Sequence, residues 1–127
     1  MIIFIGLLVI CSGVWAGGGK DNQNSPQWAG IYTGVIPSAS GPGISVVAIL
    51  YADATYKVTY HYIDRDPELF TFTGALRWDE KTKIITLDNK DLPPYYKVEK
   101  TGLVQLDREG KRITGPLAGN YKLRKLP

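Results

Sequence analysis

The side chains able to do chemistry are few and scattered. Asp64-Arg65-Asp66-Pro67-Glu68 puts three carboxylates into five residues, a density that could attract a hard cation such as Ca²⁺. The segment lacks the glycine and the downstream bidentate glutamate of a calcium-binding helix-loop-helix, and Arg65 stands among the acids, so a solvated turn is expected. His61 is the sole histidine. It shares a face with Lys57 and Thr59, and no set of partners for a general base or a nucleophile accompanies it. Cys11 is the sole cysteine, which rules out an internal disulfide and any cysteine-based zinc cluster. No catalytic residue, metal ligand or cofactor is assigned, and no enzymatic activity is expected.

Aromatic residues are the more organised group. Tyr56, Tyr60 and Tyr62 in one segment and Phe70, Phe72 and Trp78 in the next fall at alternate positions, which places each set on one face of a strand. Such a face could line a cavity for a small apolar ligand. It could equally fill the inside of a small barrel with the tyrosine hydroxyls reaching the rim, and a chain of 127 residues favours filling.

The elements that must carry these residues read as strands. From residue 28 onward the patterning has period two in short runs, and no stretch with a 3.6-residue period is long enough for a helix. Strands are expected at 28–36, 44–51, 55–63, 69–78, 83–88, 95–100, 103–107, 112–114 and 120–125. Ala52-Asp53-Ala54, residues 79–82, Lys100-Thr101-Gly102 and Arg108-Glu109-Gly110-Lys111 look like hairpin turns. Consecutive hairpins favour an up-and-down meander. The fold class is therefore all-β, a small antiparallel barrel of about eight strands, which suffices to close without free edges.

The first 27 residues have a different character. Residues 1–16 carry no charge, and residues 2–10 form a nearly continuous apolar run that resembles the core of a secretory signal. It is short of the roughly 20 apolar residues a membrane span needs. Two processing readings stand. Cleavage after Ala16 would release a chain that begins at Gly17 and holds no cysteine. Alternatively, Leu8-Val9-Ile10-Cys11 resembles a bacterial lipobox, with residues 1–10 removed and Cys11 acylated. Residues 17–27, rich in Gly, Asn and Ser, are then a tether to a domain at 28–127. No Lys or Arg precedes the apolar run, so the natural start is expected upstream of Met1.

The net charge is +3 with a pI near 9.0. Residues 97–127 hold eight basic and three acidic side chains, whereas residues 20–96 hold seven basic and nine acidic. The basic end could face anionic lipid headgroups, although outward lysines on a terminal strand also discourage edge pairing. With an export signal present, nucleic acid is not an expected partner. The expected partners are a membrane surface through an N-terminal lipid, and an envelope protein or a small apolar ligand.

The order Tyr32-Thr33-Gly34-Val35-Ile36-Pro37, a short loop, Gly43-Ile44, then Ala54-Thr55-Tyr56-Lys57-Val58-Thr59-Tyr60 resembles the NlpE N-terminal domain family. Phe72-Thr73-Gly74-Ala75-Leu76-Arg77-Trp78, Tyr95-Tyr96-Lys97-Val98, Leu106-Asp107-Arg108-Glu109-Gly110 and Tyr121-Lys122-Leu123 extend the match to nearly all of residues 28–126. The resemblance implies a lipocalin-like barrel, tethered by lipid on the periplasmic side of an outer membrane, or a soluble exported form of it. A second domain follows in better-known members. None fits before Pro127, so a signalling role that relies on two domains is not expected. The family motif Pro-Cys-Ala-Asp-Cys meets Pro37-Ser38-Ala39-Ser40-Gly41 here. Ser38 and Gly41 lack the thiols that would form a disulfide or ligate Cu(I), so copper binding and redox sensing are not carried over. Envelope stress or copper homeostasis attaches to the chain by family name alone.

Overall fold

In the computed structural model, residues 25–39, 41–64 and 67–127 are described. Cys11, the apolar run, most of the tether, Ser40, Arg65 and Asp66 lie outside the described residues. Eight strands follow one another: β1 (Gly30–Ile36), β2 (Ile44–Leu50), β3 (Thr55–Tyr62), β4 (Leu69–Asp79), β5 (Ile84–Leu87), β6 (Tyr95–Glu99), β7 (Gly102–Gln105) and β8 (Lys122–Lys125). Each pairs antiparallel with its sequence neighbours, and β8 returns to β1 through Tyr32↔Lys125 and Thr33↔Arg124, which closes the barrel.

Period-two alternation becomes an inside and an outside. Tyr32 and Ile36 of β1, Val46, Ala48 and Leu50 of β2, Tyr56, Val58 and Tyr60 of β3, Ile85 and Leu87 of β5, Tyr96 of β6 and Leu123 of β8 are all buried in one core. Register fixes this: Val46↔Tyr60 and Ala48↔Val58 face each other across β2 and β3, and a slip of one residue would turn every one of these side chains to solvent.

Short turns are built by aspartates that accept backbone N–H groups. Asp53 Oδ1 accepts from the Thr55 N–H (3.1 Å) and the Thr55 hydroxyl (2.6 Å) between β2 and β3. Asp79 Oδ1 accepts from Lys81 (2.8 Å) and Thr82 (3.2 Å) between β4 and β5. Asp107 Oδ1 accepts from Glu109 (2.8 Å) and Lys111 (2.9 Å). The seam between β7 and β8 depends on a glycine, because a Cβ at Gly102 would overlap the Leu123 carbonyl oxygen.

The expected strand at 112–114 does not form. The Asp107 turn brings Arg112 back for a single bridge to Leu106, and Gly115 (φ 105°) followed by Pro116 then carries the chain away. A 3₁₀ turn at Ala118–Asn120 precedes β8, which starts two residues later than expected. The first strand likewise starts at Gly30 rather than residue 28. Trp28 instead folds over the end of the barrel, and its carbonyl accepts from the Tyr32 hydroxyl at 2.8 Å.

Candidate functional site

The up-and-down path gives the barrel two poles. One carries the hairpins 51–54, 80–83 and 100–101, the end of β8, and residues 25–29 where the chain arrives. The other carries the longer connections 37–43, 63–68, 88–94 and 106–121.

Inside the barrel, the described residues are packed closely around the centre. The central void measures about 10 Å³ and is lined by aliphatic side chains such as Val46, Leu50, Ile85 and Leu103, with Tyr96; this is roughly room for one water. The six aromatic residues expected on the inner face do not line it. Tyr56 and Tyr60 are buried in the core, whereas Tyr62, Phe72 and Trp78 are half-buried against it. Phe70 is 37 % exposed, because β4 runs past the rim at its start. Five of them pack in ring pairs instead: Tyr60 meets Phe72 edge-on at 5.8 Å, Tyr62 meets Phe70 edge-on at 5.8 Å, and Trp78 lies 6.4 Å from Trp28.

The buried hydroxyls are satisfied. Tyr56 donates to Asp88 Oδ1 at 2.9 Å, and Asp88 Oδ2 accepts from the Ala75 N–H at 3.1 Å. These bonds, the backbone one foremost, hold the Asp88 carboxyl below the usual carboxylate range. Gly74 leaves the space for this contact, since a Cβ there would collide with the Asp88 carboxylate. Tyr60 and Tyr96 are hydrogen-bonded to each other, and burial raises both above the ordinary phenol range. Burial pushes Tyr32 up to about 12.

At the far pole, the first loop closes on itself: the Ser38 hydroxyl donates to the Gly41 carbonyl at 3.3 Å. The two positions read in the sequence as counterparts of the family's cysteines are thus joined by a hydrogen bond. Gly41 has φ 117°, a conformation that a side chain disfavours. Beside this loop runs an open groove of about 420 Å³ between Val35, Pro42, Leu117 and Asn120. Asp64 and Glu68 of the acidic loop are exposed, and no group of three potential metal ligands occurs among the described residues. His61 is half-buried on the outer face, opposite Ser45 and Leu69.

At the near pole lies a groove of about 460 Å³, lined by Gln27, Trp78, Lys83, Val98, Glu99, Lys100 and Lys125. Lys83 Nζ stands 5.8 Å from the Trp78 ring centre and 3.1 Å from Glu80. Lys125 Nζ donates to the Gln27 carbonyl at 2.7 Å and stands 5.8 Å from the Tyr32 ring centre. Counting charges along the sequence found Lys100 and Lys125, but it missed Lys83 and Trp78, which only barrel closure brings beside them. It also grouped Arg108 and Lys111 with these lysines, although the fold sends them to the other pole. No helix among the described residues is long and apolar enough to cross a membrane.

The sequence model of the NlpE N-terminal domain matches residues 32–116. Lipoprotein NlpE of Escherichia coli K12 is 30 % identical over 93 residues, which cover 72 % of this chain and 39 % of that protein. A crystal structure from Shewanella oneidensis, described as that of a lipoprotein, superposes with a TM-score of 0.70 at 37 % identity, over 80 % of this chain and 95 % of that one. The crystal structure of the Cpx pathway activator NlpE from E. coli superposes with a TM-score of 0.58 at 26 % identity, over 72 % of this chain and 47 % of that one. The chain thus spans less than half the length of the E. coli protein. With the closed eight-strand barrel and a family match over most of it, this chain belongs to the NlpE N-terminal domain family.

Proposed function

We propose that the chain is an exported cell-envelope barrel, held at a membrane surface by an acylated Cys11, that acts by binding other molecules on its outside rather than by catalysis. The observation that carries the binding part is the filled interior: among the described residues the central void is about 10 Å³, too small for a substrate or cargo. The anchoring part is supported by the lipoproteins among its relatives and by a single cysteine directly after an apolar run. The same filled interior speaks against a lipocalin-like carrier of small apolar ligands.

The E. coli relative is described as a Cpx pathway activator, and a regulatory contact with an envelope protein is the corresponding role here. Copper chemistry is not part of the proposal, because Ser38 and Gly41 offer no thiolate.

Fractionation of cells that express the natural gene tests the anchor. The unaltered protein is expected in the membrane fraction and extractable by detergent, and Cys11→Ser is expected in the soluble or unprocessed pool. Equal partition of the two proteins would refute the anchor and leave a soluble exported barrel.

A further inference from the structure

We propose that the pole at which the chain arrives is a membrane-facing surface that binds anionic phospholipid headgroups through Lys83, Lys100 and Lys125, with Trp78 at the interface. The inference deepens the surface-anchored reading and rests on it.

Charge is distributed along the barrel axis. The turns and strand ends of this pole, residues 51–55, 77–83, 97–102 and 124–127, carry seven basic and four acidic side chains. The described residues of the opposite pole's connections, 37–39, 41–45, 60–64, 67–70, 88–95 and 105–121, carry four basic and six acidic. Each acid at the near pole is held by a local partner, and Lys83 itself is one of these partners. Asp53 and Asp79 bind the N–H groups of their own turns. Glu80 accepts from the Trp78 indole N–H at 3.0 Å and from Lys83, and Glu99 pairs with Arg112 and, at 3.9 Å, with Lys122. Against an anionic surface this pole is attracted and the opposite one repelled.

The chemistry of the groove suits headgroups more than a small soluble anion. It is an open trough whose cations are lysines, which act as hydrated point charges. Its described lining holds no arginine fork to fit one phosphate. Trp78 is half-buried and lines the groove, and an indole with an apolar body and a polar N–H favours the headgroup layer. The chain reaches the barrel at Gln27, which lines the same groove, so a tether anchored in a bilayer would deliver this pole to it.

The S. oneidensis relative is matched over 95 % of its chain by 80 % of this one, so a barrel of this kind folds without the remainder. Residues 25–127, free of any acyl chain, are therefore mixed with sedimenting vesicles at low salt. Binding is expected to phosphatidylcholine vesicles that contain phosphatidylglycerol and not to phosphatidylcholine alone, and to weaken as salt is added. At roughly fivefold per lysine near a charged surface, Lys83→Gln with Lys100→Gln is expected to weaken binding about 25-fold. Adding Lys125→Gln, whose Gln27 contact could matter for folding, is expected to bring the loss to about 100-fold. The charge-matched set Lys90→Gln, Arg108→Gln and Lys111→Gln on the opposite pole is expected to change it less than about twofold. No preference for phosphatidylglycerol, an equal loss in the opposite-pole set, or release by inorganic phosphate at constant ionic strength would overturn the proposal. None of these outcomes bears on whether Cys11 is acylated.

Discussion

Four of the eight tyrosines, Tyr32, Tyr56, Tyr60 and Tyr96, are buried with their hydroxyls protected, and all four have a pKa raised first by desolvation. A phenol whose folded pKa exceeds its unfolded value contributes stability that is complete below pH 10 and is lost as pH rises toward the folded value, about 12 for Tyr32. Absorbance titration is expected to show Tyr32 still protonated near pH 11 and all four ionising together with unfolding; gradual ionisation of all eight in a folded barrel would contradict their burial. Asp88 has the opposite sign. Its folded pKa lies below 3.8 through the Ala75 and Tyr56 hydrogen bonds, so its contribution is present above that value and disappears as pH falls through the folded pKa. The gap in Tm between the natural protein and Asp88→Asn is therefore expected to be largest at neutral pH and to shrink below about pH 4. At the first loop, Cu(I) is expected to leave Tm unchanged in the natural protein and to raise it in Ser38→Cys with Gly41→Cys. That variant starts about 1–3 kcal/mol less stable because residue 41 sits at a positive φ. A copper-dependent rise in the natural protein would mean that other ligands have replaced the thiols.

Among the elements, β7 and β8 are four residues each, and their pairing depends on the close approach of Gly102 to the Leu123 carbonyl. Gly102→Ala is expected to cost about 1–3 kcal/mol, with amide exchange rising first in β7 and β8; uniform exchange would show that the seam is no weaker than the rest. The strands themselves were largely legible in the sequence, because alternation such as Tyr56, Val58, Tyr60 follows directly from a sheet with one buried face. Residues 112–114 show where alternation misleads: three residues after a good turn look like a returning strand, yet Gly115 and Pro116 end the pairing after one bridge. Trp28 had the apolar character of a strand residue and serves as a lid. The basic groove was the least legible part, since Lys83, Lys100 and Lys125 are brought together only by closure of the barrel, which no local pattern encodes.

For the whole molecule, the filled centre and the polarised ends both support the proposed action at the outer surface. A hydrophobic probe such as a long-chain fatty acid is expected to leave Tm unchanged, because ligand binding to the folded state would have to stabilise it. Ile85→Ala, which removes a fully buried side chain from the lining of the void, is expected to cost about 2–5 kcal/mol and to open a small apolar cavity. The proposed headgroup contact needs one pole held against a charged surface, and a lipid on the N-terminal side of residue 25 would supply that relation. The most direct test is the intact mass and N-terminal fragment of the mature protein, taken from membrane and soluble fractions of cells that carry the natural gene. A diacyl or triacyl mass increment on Cys11 in the membrane fraction is the predicted result. A lipid-free chain beginning at Gly17 in the soluble fraction would contradict it.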